Sequence, residues 1–312
     1  MSIIKIENLK KDYGNHKGIF DVSFQLKKGE VFGFLGPNGA GKTVTIRHLM
    51  GFIKQDSGEC YINDLNCFAD ASTIQKNTGY IPGEISFIDG MTGIEFIKFL
   101  ADYRGLKDLT KAHELIKRFD LDTKNHIKKM SKGTKQKLGI VVAFMHNPEI
   151  IILDEPTSGL DPLMQNNFIE LIQEEKKKGK TILMSSHTFE EIEKTCDRVA
   201  IIKAGEIVTI DTIANLKKTK SKKYTITFQD KKEIPSFEKE EIEIANISND
   251  KVTVLVKNNI KQFIKLLNKY DIVDIDEEMQ SLEDIFIEFY EGDKSELHER
   301  DKSEFYKGDK ND

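Results

Sequence analysis

The 312-residue sequence predicts an α/β fold in which a buried parallel sheet alternates with helices, followed by a smaller α+β unit. Three observations predict it. Short apolar runs, VFGFLG (31–36), IIIL (150–153) and TILMSSH (181–187), read as buried strands. A helix-like run follows each of them. After about residue 216 the pattern changes to alternating strands and amphipathic helices.

Bulk composition narrows the functions available. Hydrophobic residues make up 38% and charged residues 32%, which suits a globular protein with a well-solvated surface. The formal net charge of -5 gives no basic field, so no nucleic-acid partner is expected. No apolar run approaches the roughly 18–20 residues a membrane span requires. The longest, LGIVVAF (138–144), is short enough for a core. The beginning, MSIIKIENLKKDYG, lacks the apolar region and small-residue cleavage site of a signal peptide. Cys60, Cys67 and Cys196 show no C-x-x-C spacing and read as reduced thiols, not metal ligands.

The first strand runs into Gly36-Pro37-Asn38-Gly39-Ala40-Gly41-Lys42-Thr43, which fits G-x-x-x-x-G-K-[ST]. Val44, Ile46, Leu49 and Met50 then recur at helical spacing, and Gly51 stands where a C-terminal cap would. Glycines let the backbone curl until several N–H groups face one point, and the helix start adds partial positive charge there. Lys42 supplies a full charge for outer phosphates, and Thr43 a hydroxyl for magnesium. A loop with this context holds a nucleoside triphosphate. A chemically inert glycine turn explains neither the lysine nor the threonine.

The second strand ends in Asp154 and Glu155. The aspartate can reach magnesium through a water, and the glutamate can take a proton from an attacking water. Alone, this is equally a core strand ending in two solvated acids. Asp161 caps the next helix with Pro162 in its first turn, and that helix stops near Gly179. The third strand ends at His187, at the edge where ligands collect in parallel sheets. Thr188 and Glu191 fit a capping box. MSKGTKQKLGI (130–140) starts another helix at Ser131 and Gly133, with Leu138, Val141, Val142 and Met145 on its buried face. Its N-terminus is a second anion-attracting site, which a second chain can present to the triphosphate. A plain N-cap at Ser131 is also true locally.

Together these motifs resemble the ATP-binding subunit of an ABC transporter, over roughly residues 3–215. Residues 36–43 are similar to its Walker A loop, 150–155 to Walker B with the catalytic Glu155, SGLD (158–161) to its D-loop with Asp161, His187 to its switch histidine, and MSKGT (130–134) to its signature. Tyr13 is similar to the aromatic that stacks on adenine. The resemblance implies a P-loop NTPase core of the ABC type with ATP and magnesium as cofactors. Magnesium would sit at Thr43 and Asp154. It implies a dimer, homo- or hetero-, clamped head to tail, with Ser131, Lys132 and Gly133 of one chain touching the γ-phosphate held by Gly36–Val44 of the other. It also implies a membrane-spanning permease partner and a peripheral place on the cytoplasmic side of the cell membrane.

Three positions depart from the family. Val44 replaces a second hydroxyl, and a lost charge-assisted hydrogen bond costs about 1.5–3 kcal/mol. The expectation is weaker nucleotide affinity without loss of function. In GYIPGE (79–84), Gly83 stands where the Q-loop glutamine would, leaving Glu84 as the nearest substitute. The signature has Lys132 and Thr134 where the family norm has glycine and glutamine. The SKG form is known in one branch of exporters.

Residues 84–130 read as helices, with Phe96, Phe99 and Leu100 on one apolar face. The resemblance makes about 84–140 a helical subdomain facing the permease; an ordinary amphipathic core explains the same pattern. LKKTKSKK (216–223) reads as a solvated basic linker. Strands follow at 223–228, 252–256 and 271–276, and helices at 259–270 and 281–290, giving a small α+β domain over 216–290. Its ending, LEDIFIEFY, is similar to that of type-2 ABC export ATPases for drugs and antimicrobial peptides. The polar tail 291–312 is expected to be disordered. The function so read is ATP hydrolysis powering export. The alternative is a non-transport or regulatory ATP-binding module in the cytosol. A ribosome-acting relative would carry two cassettes, and a chromosome or repair ATPase would carry a long coiled coil; the sequence has neither.

Overall fold

The structure, a computed structural model, describes residues 2–88, 90–218, 222–256 and 260–279. They form two compact units, which divide between Ile213 and Ala214.

The first unit runs β1 (Ser2–Asp12), β2 (Gly18–Lys27), β3 (Val31–Leu35), α1 (Lys42–Leu49), β4 (Ser57–Ile62), β5 (Leu65–Asn66), α2 (Ala71–Asn77) and β6 (Thr78–Ile81). Three helices follow: α3 (Gly93–Tyr103), α4 (Thr110–Arg118) and α5 (Lys132–Phe144). It closes with β7 (Ile150–Asp154), α6 (Pro162–Lys177), β8 (Thr181–Ser186), α7 (Phe189–Thr195), β9 (Arg198–Lys203), β10 (Glu206–Thr212) and the start of α8 (Ile213–Lys218). Strands β6-β7-β8-β3-β9 are parallel neighbours in that order. β10 turns back antiparallel on β9, and one bridge, Glu206 to Asp21, joins it to the antiparallel set β2-β1-β4-β5.

β3, β7 and β8 are buried along their whole length, as their unbroken apolar runs demand. Their register sets the site. Leu35 pairs with Ser186, Asp154 with Ser185, and Ile81 with Leu153. The residues just past these rungs, Gly36, Glu155, His187 and the 82–84 turn, therefore leave one edge of the sheet side by side.

The antiparallel set, β6, β9 and β10 are additions to the strands the sequence predicts at 31–36, 150–153 and 181–187. Val22, Phe24 and Leu26 do alternate inward on β2. β1 hides its own alternation because it is bulged against both neighbours. Phe24 stacks on Phe32 with ring centroids 5.2 Å apart, which ties this set to β3.

The helical stretch needs one correction. On α3, Phe96 and Ile97 are buried, but Phe99 is 42% exposed and so does not share their face. On α5, Leu138, Val141 and Met145 are buried while Val142 is only half-buried.

The second unit contains β11 (Lys222–Phe228), α9 (Ile234–Phe237), β12 (Glu243–Ser248), β13 (Lys251–Val256), α10 (Ile260–Leu267) and β14 (Ile272–Met279). Its sheet is antiparallel in the order β12-β13-β11-β14. Tyr224, Ile226, Phe228, Val252 and Val254 face a core shared with Phe237, Phe263 and Leu267. β12 and α9 are absent from the sequence reading; largely exposed β12 carries Ile244, Ala245 and Ile247 with no apolar alternation. The stretch read as a linker at 216–223 is in part ordered: α8 reaches Lys218 and β11 starts at Lys222. The expected helix 281–290 and tail 291–312 lie outside the described residues.

Candidate nucleotide-binding site

The loop after β3 closes tightly. A Cβ on Gly36 would stand 2.4 Å from the Ile202 carbonyl oxygen, so only glycine lets β3 leave the sheet there. Gly39 and Gly41 take φ of 83° and 113°, and Gly41 is the N-cap of α1. The Ala40 N–H bonds the Pro37 carbonyl at 3.2 Å, and Gly205 N–H bonds the Ala40 carbonyl at 2.9 Å. Pro37, Asn38 and Ala40 are thus held in a ring of backbone that opens onto the start of α1.

Lys42 is 4% exposed, and its ammonium is the hub. It donates to the Gly36 carbonyl at 2.6 Å and the Pro37 carbonyl at 3.0 Å, and lies 3.4 Å from Glu155 Oε1. The other Glu155 oxygen is 3.4 Å from His187 Nδ1. The register described above therefore brings the lysine of one loop, the glutamate of a second and the histidine of a third into one group. Thr43 and Val44 are half-buried in the first turn of α1.

Glu155 has φ of 48°, a left-handed conformation that costs a β-carbon residue about 1–2 kcal/mol. Its neighbours hold it there. The Glu155 N–H reaches both the Ser185 carbonyl (3.2 Å) and the Ser185 hydroxyl (3.1 Å), and that hydroxyl donates to Asp154 Oδ1 at 2.5 Å. Asp154 is fully buried, and its Oδ2 has no hydrogen-bond partner among the described residues. A buried carboxylate oxygen left unpaired is costly unless a cation or donor completes it. This orphan fits magnesium. Gly83 lies beside it: a Cβ there would come 2.9 Å from Asp154 Oδ2, which is a physical reason for glycine in place of a longer side chain. Glu84 is exposed.

The signature segment packs on the loop that follows Glu155. Ser131 caps α5, accepting from the Thr134 N–H at 3.1 Å. Lys132 donates to the Ser158 hydroxyl at 2.9 Å, and a Cβ on Gly133 would stand 2.6 Å from the Gly159 carbonyl oxygen. Lys132, a departure from the family pattern, thus has a structural partner in the SGLD segment. Asp161 caps α6 as expected, accepting from the Met164 N–H at 3.0 Å. Tyr13 projects, 53% exposed, from the β1–β2 hairpin, with the Lys11 ammonium 5.9 Å from its ring centre.

Two residues escaped the sequence reading. Ser185 positions both Asp154 and Glu155. Gln136, buried in α5, donates to the Pro156 carbonyl at 2.7 Å and anchors the Glu155 loop from the helical side. A glutamine amid the buried positions of an apolar helix was the available signal. The expected capping box at Thr188 is not formed: its side chain makes no cap hydrogen bond. Glu191 instead accepts from Ser186, whose hydroxyl accepts the Thr188 N–H.

The family model described as "ABC transporter" matches residues 19–158. The bacitracin transport ATP-binding protein BcrA of Bacillus licheniformis is 34% identical over 93% of this chain and 98% of its own length. The linearmycin resistance ATP-binding protein LnrL of Bacillus subtilis is 36% identical over 69% of this chain and 70% of its own. A solved ATP-binding subunit of an ABC transporter superposes with a TM-score of 0.64 at 30% identity, covering 69% of this chain and 92% of the other. Loop, carboxylates and histidine stand together on a fold those proteins share, and the chain belongs to the ATP-binding subunits of ABC transporters, a family of ATPases.

Proposed function

We propose that this subunit hydrolyses ATP to power an exporter for a drug or antimicrobial peptide, from the cytoplasmic face of the cell membrane. Support for export comes from the bacitracin transport relative, which matches almost end to end. Among the described residues no helix is long and apolar enough to cross a membrane, so a separate permease would supply the path. We also propose the domain division at about residue 215, with the ATPase cassette before it.

The observation that carries the catalytic reading is the grouping of Lys42, Glu155 and His187 within 3.4 Å contacts. Tyr13 stacks on adenine. The N–H groups of residues 36–44 cradle the phosphates, and Lys42 exchanges its carbonyl contacts for phosphate oxygens. Glu155 takes a proton from the attacking water as its oxygen bonds the γ-phosphorus. The β–γ bridging bond breaks, leaving ADP and phosphate. His187 holds the γ-phosphate, and Asp161 and the Ser131–Gly133 helix start of a second subunit close the site. Thr43 and Asp154 would hold magnesium, which would supply charge neutralisation for the phosphates.

Glu155→Gln tests this reading. It keeps the side-chain shape and removes the base, so steady-state ATPase should fall about 100- to 10,000-fold while ATP still binds. Equal rates in both proteins would favour the regulatory module instead. Co-purification with a membrane subunit separates transport from work in the cytosol.

A further inference from the structure

His187 is 54% exposed at its side chain, yet the residues on either side of it are pinned from below. The Ser186 hydroxyl, 2% exposed, lies 2.7 Å from Glu191 Oε2. The Ser186 hydroxyl oxygen also accepts the Thr188 N–H at 2.9 Å and lies 3.2 Å from the Thr188 carbonyl. Glu191 is itself buried on the first turn of α7, and its Oε1 has no geometric hydrogen-bond partner among the described residues. Thr157, two residues after Glu155, lines the same 110 Å³ cavity as Glu191. One buried carboxyl group thus sits beneath the His187 turn and beside the loop that carries Glu155.

We propose that Glu191 is a positioning residue for ATP hydrolysis: through Ser186 it fixes the backbone on both sides of His187 and so holds the imidazole against Glu155. The inference rests on the roles proposed for His187 and Glu155. Glu191 touches neither substrate nor metal ligand. A surface glutamate at a helix start would do its work with the helix N–H groups; this one is turned inward onto the preceding strand end.

The relay works in either protonation state. With Glu191 ionised, the Ser186 hydroxyl donates to Oε2. With Glu191 protonated, its O–H donates to the Ser186 oxygen, and the serine hydrogen turns to the Thr188 carbonyl. The Thr188 N–H donates to Ser186 throughout. Burial, together with the charge of Glu155, pushes Glu191 up to about 7, so both forms are within reach near neutrality. Lys194 and Glu190 of the same helix also line the cavity, and neither lies in the relay.

The test uses the full-length chain and steady-state ATPase kinetics. Glu191→Ala is expected to lower kcat about 10- to 100-fold with little change in KM, because nucleotide contacts stay while the histidine loses its orientation. Glu191→Gln, which can still bond Ser186, is expected to stay within about threefold of wild type. Ser186→Ala should reproduce the alanine phenotype and serves if Glu191→Ala folds poorly. In a His187→Ala background, Glu191→Ala should add less than about a twofold loss, since residues acting as one unit are not additive. Wild-type kcat in Glu191→Ala and Ser186→Ala, or a loss that multiplies with that of His187→Ala, overturns the proposal. Wild-type turnover in His187→Ala alone would instead overturn the reading of the site itself.

Discussion

The parallel strand edge of the first unit and the antiparallel sheet of the second use similar apolar residues and treat their polar groups in opposite ways. In the second unit, Tyr224 pairs with Val254 and Ile226 with Val252 on the core face, while Thr225 and Thr253 on the other face satisfy each other at 3.1 Å. No buried side-chain polar atom there lacks a partner among the described residues. In the first unit six such atoms stand alone, including Asp154 Oδ2 and Glu191 Oε1, and Glu155 holds a left-handed backbone. The other non-glycine residues with positive φ are mostly Asn and Asp, which tolerate it; Glu155 does not. Asp154, Glu155 and Glu191 thus bring two unpaired oxygens and a strained backbone together at the strand edge, while the other four unpaired atoms belong to His48, Gln55 and His146 elsewhere in the first unit.

The sharpest way to test that contrast is Phe237→Ala. Phe237 is fully buried, with its ring 5.2 Å from those of both Phe228 and Tyr270. Removing it should cost the second unit about 3–5 kcal/mol, seen as faster hydrogen exchange in β11 and β13. ATPase activity of the chain should be unchanged. A parallel loss of turnover would break the separation between the two regions.

Lys42→Ala should act in the reverse sense. It removes a buried ammonium that bonds two carbonyls, and charge-assisted bonds contribute about 1.5–3 kcal/mol. Calorimetry with a non-hydrolysable ATP analogue should show affinity falling about 10- to 100-fold, with exchange in the second unit unchanged.

A smaller effect comes from His48 and His146. Burial, aided by Arg104, holds His146 down to about 4, and burial also lowers His48. The unfolded chain takes up these protons first, so the stability present above about pH 6.5 is lost as pH falls toward 4. Melting temperature should drop over that window, and His146→Gln should flatten the drop. The second unit has no described histidine and should not share the trend.

Smallest is Val44→Thr. A restored hydroxyl on the first turn of α1 should tighten ATP binding about 2- to 10-fold, less than the roughly 1.5–3 kcal/mol of a full charge-assisted bond because the backbone N–H groups already supply part of it. No change would mean that the backbone N–H groups already satisfy the phosphates.

Local spacing in the sequence determined the phosphate loop, the strands at 31–36, 150–153 and 181–187 to within a residue of their observed ends, the caps at Ser131 and Asp161, and the family. Each is written by residues a few positions apart, as when Gly36 to Thr43 encode a turn and a helix start. Tertiary structure alone decided the rest. β1 was illegible because bulges break its alternation, and Phe99 was misread because neighbours, not period, choose the face a helix buries. The Thr188–Glu191 pair matched a local motif, yet the carboxyl found a better partner in Ser186 on the adjacent strand end. Ser185 and Gln136 acquire meaning only when packing sets them beside Asp154, Glu155 and Pro156. Hydrogen bonds between residues distant in sequence leave no periodic trace in a chain, so packing must be seen before their partners are known.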